Sequence, residues 1–151
     1  MQIGVSGASG NVGRVILEEL KTRAPDATIV GISRSPESIP TPTQGRRGDY
    51  DQPETLAAAY AGLNRLMLIP GPELMPGVRA RQLVAAIDAA NAAGVGHIFL
   101  LSASGTRDKP EPAIGADYWV AEQHLIKQAA GKWTIFRMNF FSAMFAAIAI
   151  F

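Results

Sequence analysis

Short apolar runs alternate along this chain with stretches whose apolar residues recur at helical spacing. The run Ile3-Gly4-Val5 opens the series, and residues 11 to 23 then place Val12, Val15, Ile16 and Leu20 on one expected helical face. Thr28-Ile29-Val30-Gly31-Ile32 is β-branched and almost uninterrupted in apolarity, as a strand buried on both faces is. Leu66-Met67-Leu68-Ile69, His97-Ile98-Phe99-Leu100-Leu101 and Trp133-Thr134-Ile135-Phe136-Arg137 repeat that strand pattern further on. Helical patterns fill the intervals. Residues 53 to 60 carry Leu56, Ala57, Ala59 and Tyr60, and residues 78 to 93 carry Leu83, Val84, Ile87 and Ala90 or Asn91. Gly62 and Gly94 stop these two helices, and residues 117 to 129 form a further one.

One interval breaks the rhythm. Pro36, Pro40 and Pro42 leave no room for a proper helix, so that crossover is expected to be short and irregular. Arg46-Arg47-Gly48-Asp49-Tyr50-Asp51 after it reads as the end of a poor edge strand, and residues 106 to 115, with Pro110 and Pro112, read as a loop. Strand and helix otherwise alternate throughout, which predicts an α/β fold: a doubly wound parallel sheet of six strands in the order 3-2-1-4-5-6. Residues 1–151 then make one domain.

Composition narrows the function. At 48% hydrophobic and 18% charged the chain is globular, and a net charge of +1 without a basic stripe gives no reason to expect nucleic acid as a partner. With no cysteine there is no disulfide, no thiolate-bound zinc and no thiol nucleophile. Met1-Gln2-Ile3 starts no secretory leader, so a cytoplasmic protein is expected. Residues 140–151 are almost wholly apolar but number twelve, against about 20 needed to span a bilayer, so a buried helix is expected rather than a membrane element.

The candidate chemistry begins at Gly7-Ala8-Ser9-Gly10-Asn11-Val12-Gly13, between the first strand and the first helix. Gly7 allows a tight turn, Gly10 lets backbone approach a pyrophosphate, and Gly13 lets helix and strand pack closely. The helix N-terminus supplies N–H groups to an anion. The spacing here is G-x-x-G-x-x-G, where the usual dinucleotide loop has G-x-G-x-x-G, so an empty glycine-rich loop remains the alternative. The tip of the second strand, Ser33-Arg34-Ser35, lacks the acid that would bond the ribose hydroxyls of NAD. Arg34 there either forks onto a 2′-phosphate, with Ser33 or Ser35 as a second donor, or is a solvated surface arginine; the first reading favours NADP, with NAD possible. Arg14 either assists or faces water. Loops at the carboxyl ends of parallel strands border the ligand crevice, which puts Pro70 and Gly71 beside the cofactor, and Ser102 is counted with them.

The glycine loop, the block from Gly48-Asp49-Tyr50-Asp51 through Leu56, the block from Ala93-Gly94-Val95 through Ser102, and Glu122 with Trp133-Thr134-Ile135-Phe136-Arg137 together resemble the NmrA-like atypical short-chain dehydrogenases over nearly the whole chain. That resemblance implies a Rossmann fold whose glycine loop holds NAD(P), with Arg34 meeting the 2′-phosphate and Asp49 at the adenine end. Asp49 reads equally as a turn residue. It also implies reduction of quinones or other carbonyl compounds, or alternatively a redox sensor that binds dinucleotide without turning it over. The wider superfamily uses Tyr-x-x-x-Lys, the lysine lowering the tyrosine pKa. Here Glu122 stands four residues after Tyr118, and a carboxylate there would raise a phenol's pKa. Tyr118 and Ser104 remain as a candidate proton-donor pair, the alternative being a tyrosine on a helix face. Relatives are longer, with a substrate-binding region after the sixth strand, so the chain is expected to be a fragment or a minimal module. Its apolar end suggests a homodimer.

Other chemistries are poorly served. His97 and His124 lie in different elements without ligand-spaced acids, which argues for structural histidines and no metal. Ser9 sits in no G-x-S-x-G elbow, and no P-loop sequence occurs.

Overall fold

The computed structural model describes residues 1–109 and 113–139. Six strands, β1 (Gln2–Ser6), β2 (Thr28–Ser33), β3 (Gln44–Arg47), β4 (Arg65–Leu68), β5 (His97–Ala103) and β6 (Lys132–Met138), form one sheet. Every neighbouring pair is parallel, and the order is β3-β2-β1-β4-β5-β6, as the alternation of patterns predicted. The helices are α1 (Asn11–Arg23), α2 (Leu56–Tyr60), α3 (Val78–Ala92) and α4 (Ala113–Gln128). The expected buried helix and dimer contact at residues 140–151 lie outside the described residues.

Strand alternation divides the core into two layers. Ile3, Val5, Ile29 and Leu101 pack with Leu17 of α1 on one face. Leu66, Leu68, Ile98 and Leu100 pack with Leu83 and Ile87 of α3 and Leu125 of α4 on the other. Each fully buried Leu or Ile contributes about 1.5–3 kcal/mol of transfer free energy, so both layers hold the sheet in place. Ser6, the last residue of β1, lies opposite Ile32 in β2 and Leu68 in β4. The chain leaves β1 toward β2 on one side and later enters β4 on the other. The crossovers diverge at that point and leave a crevice over the carboxyl end of β1.

Several elements differ in detail from the pattern. On α1 the inward residue is Leu17, while Val15 is 64% exposed: two residues apart on a helix is about 200° of rotation, so the two cannot share a face. Ala57 is exposed and Val84 half-buried. The strand before Gly48 ends at Arg47, because the Asp49 N–H is taken by the Thr55 hydroxyl at 2.9 Å and the chain turns away. A 3-10 turn, Pro53–Thr55, precedes α2, and α4 begins at Ala113, a turn earlier than expected. The crossover between β2 and β3 holds only the 3-10 turn Pro36–Ser38.

Candidate functional site

The glycine loop is built as a tight bend against its neighbours. Gly7 has φ +86°, a left-handed conformation open to glycine, and the Gly7 and Ala8 N–H groups donate to the Ile32 carbonyl at 3.0 and 3.1 Å. A Cβ on Gly13 would come within 2.4 Å of the Gly7 carbonyl oxygen and 2.7 Å of Ala8 Cα, so only glycine lets α1 start this close to the loop. Gly10 is the N-cap of α1 and supplies no capping side chain. The nearest atom to a Cβ at Gly10 lies 3.5 Å away. The Arg14 N–H bonds back to the Gly10 carbonyl at 3.0 Å, and the first-turn N–H groups before it face an approach left open by glycine. No acidic residue occupies that first turn, so an anion meets the positive end of the helix dipole without a competitor.

A cleft of about 410 Å³ lies over this loop. Gly7, Ser9, Gly10, Asn11, Val12 and Gly13 line it from the loop and α1, Arg34 from the tip of β2, Asp49 from beyond β3, and Pro70 and Gly71 from beyond β4. Ser9 and Ser33 are joined side chain to side chain: the Ser33 hydroxyl donates to Ser9 Oγ at 2.8 Å and accepts the Ser35 N–H at 3.1 Å. Ser33 is therefore committed and is no free donor, whereas the Ser9 proton can turn to the cleft. Arg34 is exposed and makes no ion pair among the described residues. Arg14 instead donates to the Ser9 carbonyl at 3.0 Å, bracing the loop. Asp49 is a turn residue that also lines the cleft, its Oδ1 accepting the Asp51 N–H at 3.0 Å. The site thus carries a cation at the β2 tip and the carboxylates of Asp49, Asp51 and Glu73 toward its other walls.

Three sequence candidates lie outside the cleft lining. Ser102 is buried and donates to Glu122 Oε1 at 2.6 Å. Ser104 is exposed in the turn after β5. Tyr118 is half-buried between helices with the Arg79 guanidinium 5.1 Å from its ring centroid. Its phenol is pushed up by burial, and the Arg79 charge opposes that shift. The shift has the direction expected, but Glu122 is not its cause. Glu122 points to Arg137, Nε to Oε1 at 3.0 Å and Nη2 to Oε2 at 2.5 Å.

Tyr50, placed by the resemblance beside Asp49, lines the cleft, while Arg79 and Gln82, behind or in its wall, carried no sequence signal of their own. Tyr50 donates to the Ile69 carbonyl at 3.0 Å, and Ser6 shares a proton with Tyr60 at 3.1 Å; burial pushes both phenols up and keeps them protonated. Arg79 donates to the Gly71 carbonyl through Nε and Nη2 at 3.3 and 3.1 Å, and Gln82 donates to Asp51 Oδ1 at 2.8 Å. The histidines are held by neighbours, His97 by Thr134 at 2.9 Å and His124 by Asp88 at 2.6 Å. Among the described residues no group of three metal-ligating side chains occurs, and no helix is long and apolar enough to cross a membrane.

Comparison with known proteins adds to this geometry. Residues 7–143 match the model of a family described as NAD(P)H-binding. The chain is 30% identical over 151 residues to quinone oxidoreductase 2 of Escherichia coli, covering 97% of this chain and 51% of that protein. It is 27% identical over 140 residues to NAD(P)H azoreductase of Xenophilus azovorans, covering 91% and 47%. Triphenylmethane reductase of Citrobacter sp., solved as a complex with NADP(H), superposes with a TM-score of 0.88 at 28% identity, covering 96% of this chain and 52% of that one. The chain spans about half the length of the curated relatives it matches.

Proposed function

This chain belongs to the NAD(P)H-binding family, and on that premise we propose that it is the dinucleotide-binding domain of an oxidoreductase passing hydride from NADPH to a quinone-like or other carbonyl acceptor. The observation that carries the reading is one cleft joining the uncapped N-terminus of α1 to the unpaired Arg34. The α1 N–H groups and Ser9 hold the pyrophosphate, and Arg34 pairs with the 2′-phosphate, which selects NADPH over NADH. Asp49 stands at the adenine end, and Pro70 and Gly71 form the opposite wall. The bound nicotinamide supplies the hydride; the protein orients it and keeps water away. The similarity to reductases of quinones, azo compounds and triphenylmethane dyes supports the acceptor class.

For the proton, Tyr118 with Ser104 is the candidate donor; burial raises the phenol's pKa, which makes it a weaker acid than a free phenol. An acceptor that draws its proton from water does not need it. A second reading, a regulatory module that binds dinucleotide without turnover, is favoured by one observation: Glu122, one turn beyond Tyr118, is bound to Arg137 and Ser102 where the wider superfamily has lysine. The reading takes residues 1–151 as a single domain working in the cytoplasm, where reduced dinucleotide is at hand. It includes self-association through residues 140–151, checked by sedimentation. Titration with NADPH and NADH, followed by assay of NADPH oxidation against a panel of quinones, separates the two readings. Binding with turnover supports the enzyme, binding alone the regulator, and no binding removes both.

A further inference from the structure

Gln82 of α3 is 3% exposed and lines the cleft. Its Nε2 donates to Asp51 Oδ1 at 2.8 Å, and because a carboxylate accepts only, that bond fixes which end of the amide is which. Oε1 is thereby left on the other side, buried and with no partner. A buried acceptor without a donor costs about 1–3 kcal/mol, so native proteins seldom leave one without a use. Only Thr43 Oγ1 shares this condition among the described residues, and Thr43 does not line the cleft. The Gln82 acceptor lies behind Gly71: a Cβ added to Gly71 would come within 3.3 Å of Oε1. Glycine at position 71 therefore spares this oxygen a close side-chain contact on the cleft side.

We propose that Gln82 reads the base of the bound dinucleotide, its Oε1 accepting a hydrogen bond from the exocyclic amino group of adenine. The proposal rests on the dinucleotide reading above. With the pyrophosphate at α1 and the 2′-phosphate at Arg34, the base on that same ribose falls toward the loops that follow β3 and β4. Those loops supply Asp49 and Asp51 on one side and Gly71 on the other. In adenine joined to ribose, the exocyclic amino group holds the only N–H donors. The wall it meets is rich in acceptors: two carboxylates and the Gln82 carbonyl oxygen. A base with oxygen in place of that amino group would set acceptor against acceptor and leave Oε1 unsatisfied.

The test compares the dissociation constants of NADPH and its hypoxanthine analogue, deamino-NADPH, for this chain by fluorescence or calorimetric titration. The unsubstituted chain is expected to prefer NADPH by about tenfold or more, the worth of one satisfied buried hydrogen bond. Gln82→Met is expected to bring that ratio close to one. General damage to the cleft weakens both ligands together and leaves the ratio standing, so the ratio reports base recognition alone. If Gln82→Met does not fold, Gly71→Ala, which sets a methyl within 3.3 Å of Oε1, is expected to compress the same ratio. An unsubstituted chain that binds both dinucleotides equally, or a substituted chain that keeps the full ratio, overturns the proposal while leaving NADPH binding intact. Failure to bind either dinucleotide removes the underlying dinucleotide reading instead.

Discussion

Arg79 on α3 donates twice to the carbonyl of Gly71, through Nε at 3.3 Å and Nη2 at 3.1 Å, while its guanidinium faces the ring of Tyr118 on α4. The side chain is 4% exposed and makes no ion pair among the described residues, so a buried cation is satisfied by a carbonyl and an aromatic face. Asp117 reinforces the link by accepting the Gly77 N–H at 2.9 Å. The wall of the cleft beyond β4 is thus tied to the second helical layer. Arg79→Lys keeps the charge and loses the planar fork. It is expected to cost about 1–2 kcal/mol in urea unfolding, from hydrogen bonds made by a charged group, and to weaken NADPH and NADH to the same extent.

On the proposed reading, Arg34 and the glycine loop contribute separately to affinity. Arg34→Ala would then remove a charge-assisted contact with the 2′-phosphate and leave the loop untouched. It is expected to raise the dissociation constant of NADPH by about tenfold or more and to leave that of NADH within about twofold. Equal losses for both would remove the preference for NADPH.

The two glycines that flank the start of α1 predict opposite outcomes from the same substitution. Gly13→Ala forces a methyl to within 2.4 Å of the Gly7 oxygen, so it is expected to lower stability by about 1–3 kcal/mol, as overpacking does. At Gly10 the nearest atom is 3.5 Å away, so Gly10→Ala is expected to leave the melting temperature nearly unchanged and weaken NADPH binding. Thermal melts and titrations of the two variants side by side check the pair.

His97 gives stability a pH dependence of known sign. Its pKa is lowered, first by desolvation and then by Arg65 and Lys132, so the unfolded chain takes up the proton more readily than the folded one. Stability from this source is complete above the ordinary histidine value of about 6.5. It is lost as pH falls from there to the lowered folded value. Urea titrations between pH 7.5 and 5, as round bounds for that window at about 6.5, are expected to show this loss, and His97→Gln to remove that part of the slope.

Tyr118→Phe addresses the proton. If the acceptor takes its proton from water, turnover of NADPH with a quinone is expected to stay within about tenfold of the unsubstituted chain; a fall of about 10²–10⁴ would make the phenol the general acid.

The fold was legible because the signals that specify it are runs: apolar stretches at Thr28–Ser33 and His97–Ala103, glycines at fixed spacing, and prolines where a helix was lacking. The loop side of the site followed from topology, which brings the strand tips together whatever their neighbours are. The helical side was not legible in the same way. Arg79, Gln82, Leu83, Ala86, Ile87 and Ala90 form one inward stripe of α3, but an apolar search starts that stripe at Leu83 and assigns the two polar members to solvent. Their spacing, Arg79 four residues before Leu83 and Gln82 four before Ala86, was the available signal. Glu122 and Arg137 were each visible as residues. Their pairing depends on α4 crossing β6, which no local pattern encodes.

That pairing also limits what the fold can become. Glu122 has no exposed surface and is held by Arg137 and Ser102, so a single Glu122→Lys change would bury an ammonium against a guanidinium. A lysine-assisted tyrosine is therefore not one mutation away from this sequence. The route to it passes through a change at position 137 as well, so on the proposed reading hydride transfer here has to do without a lysine beside its tyrosine.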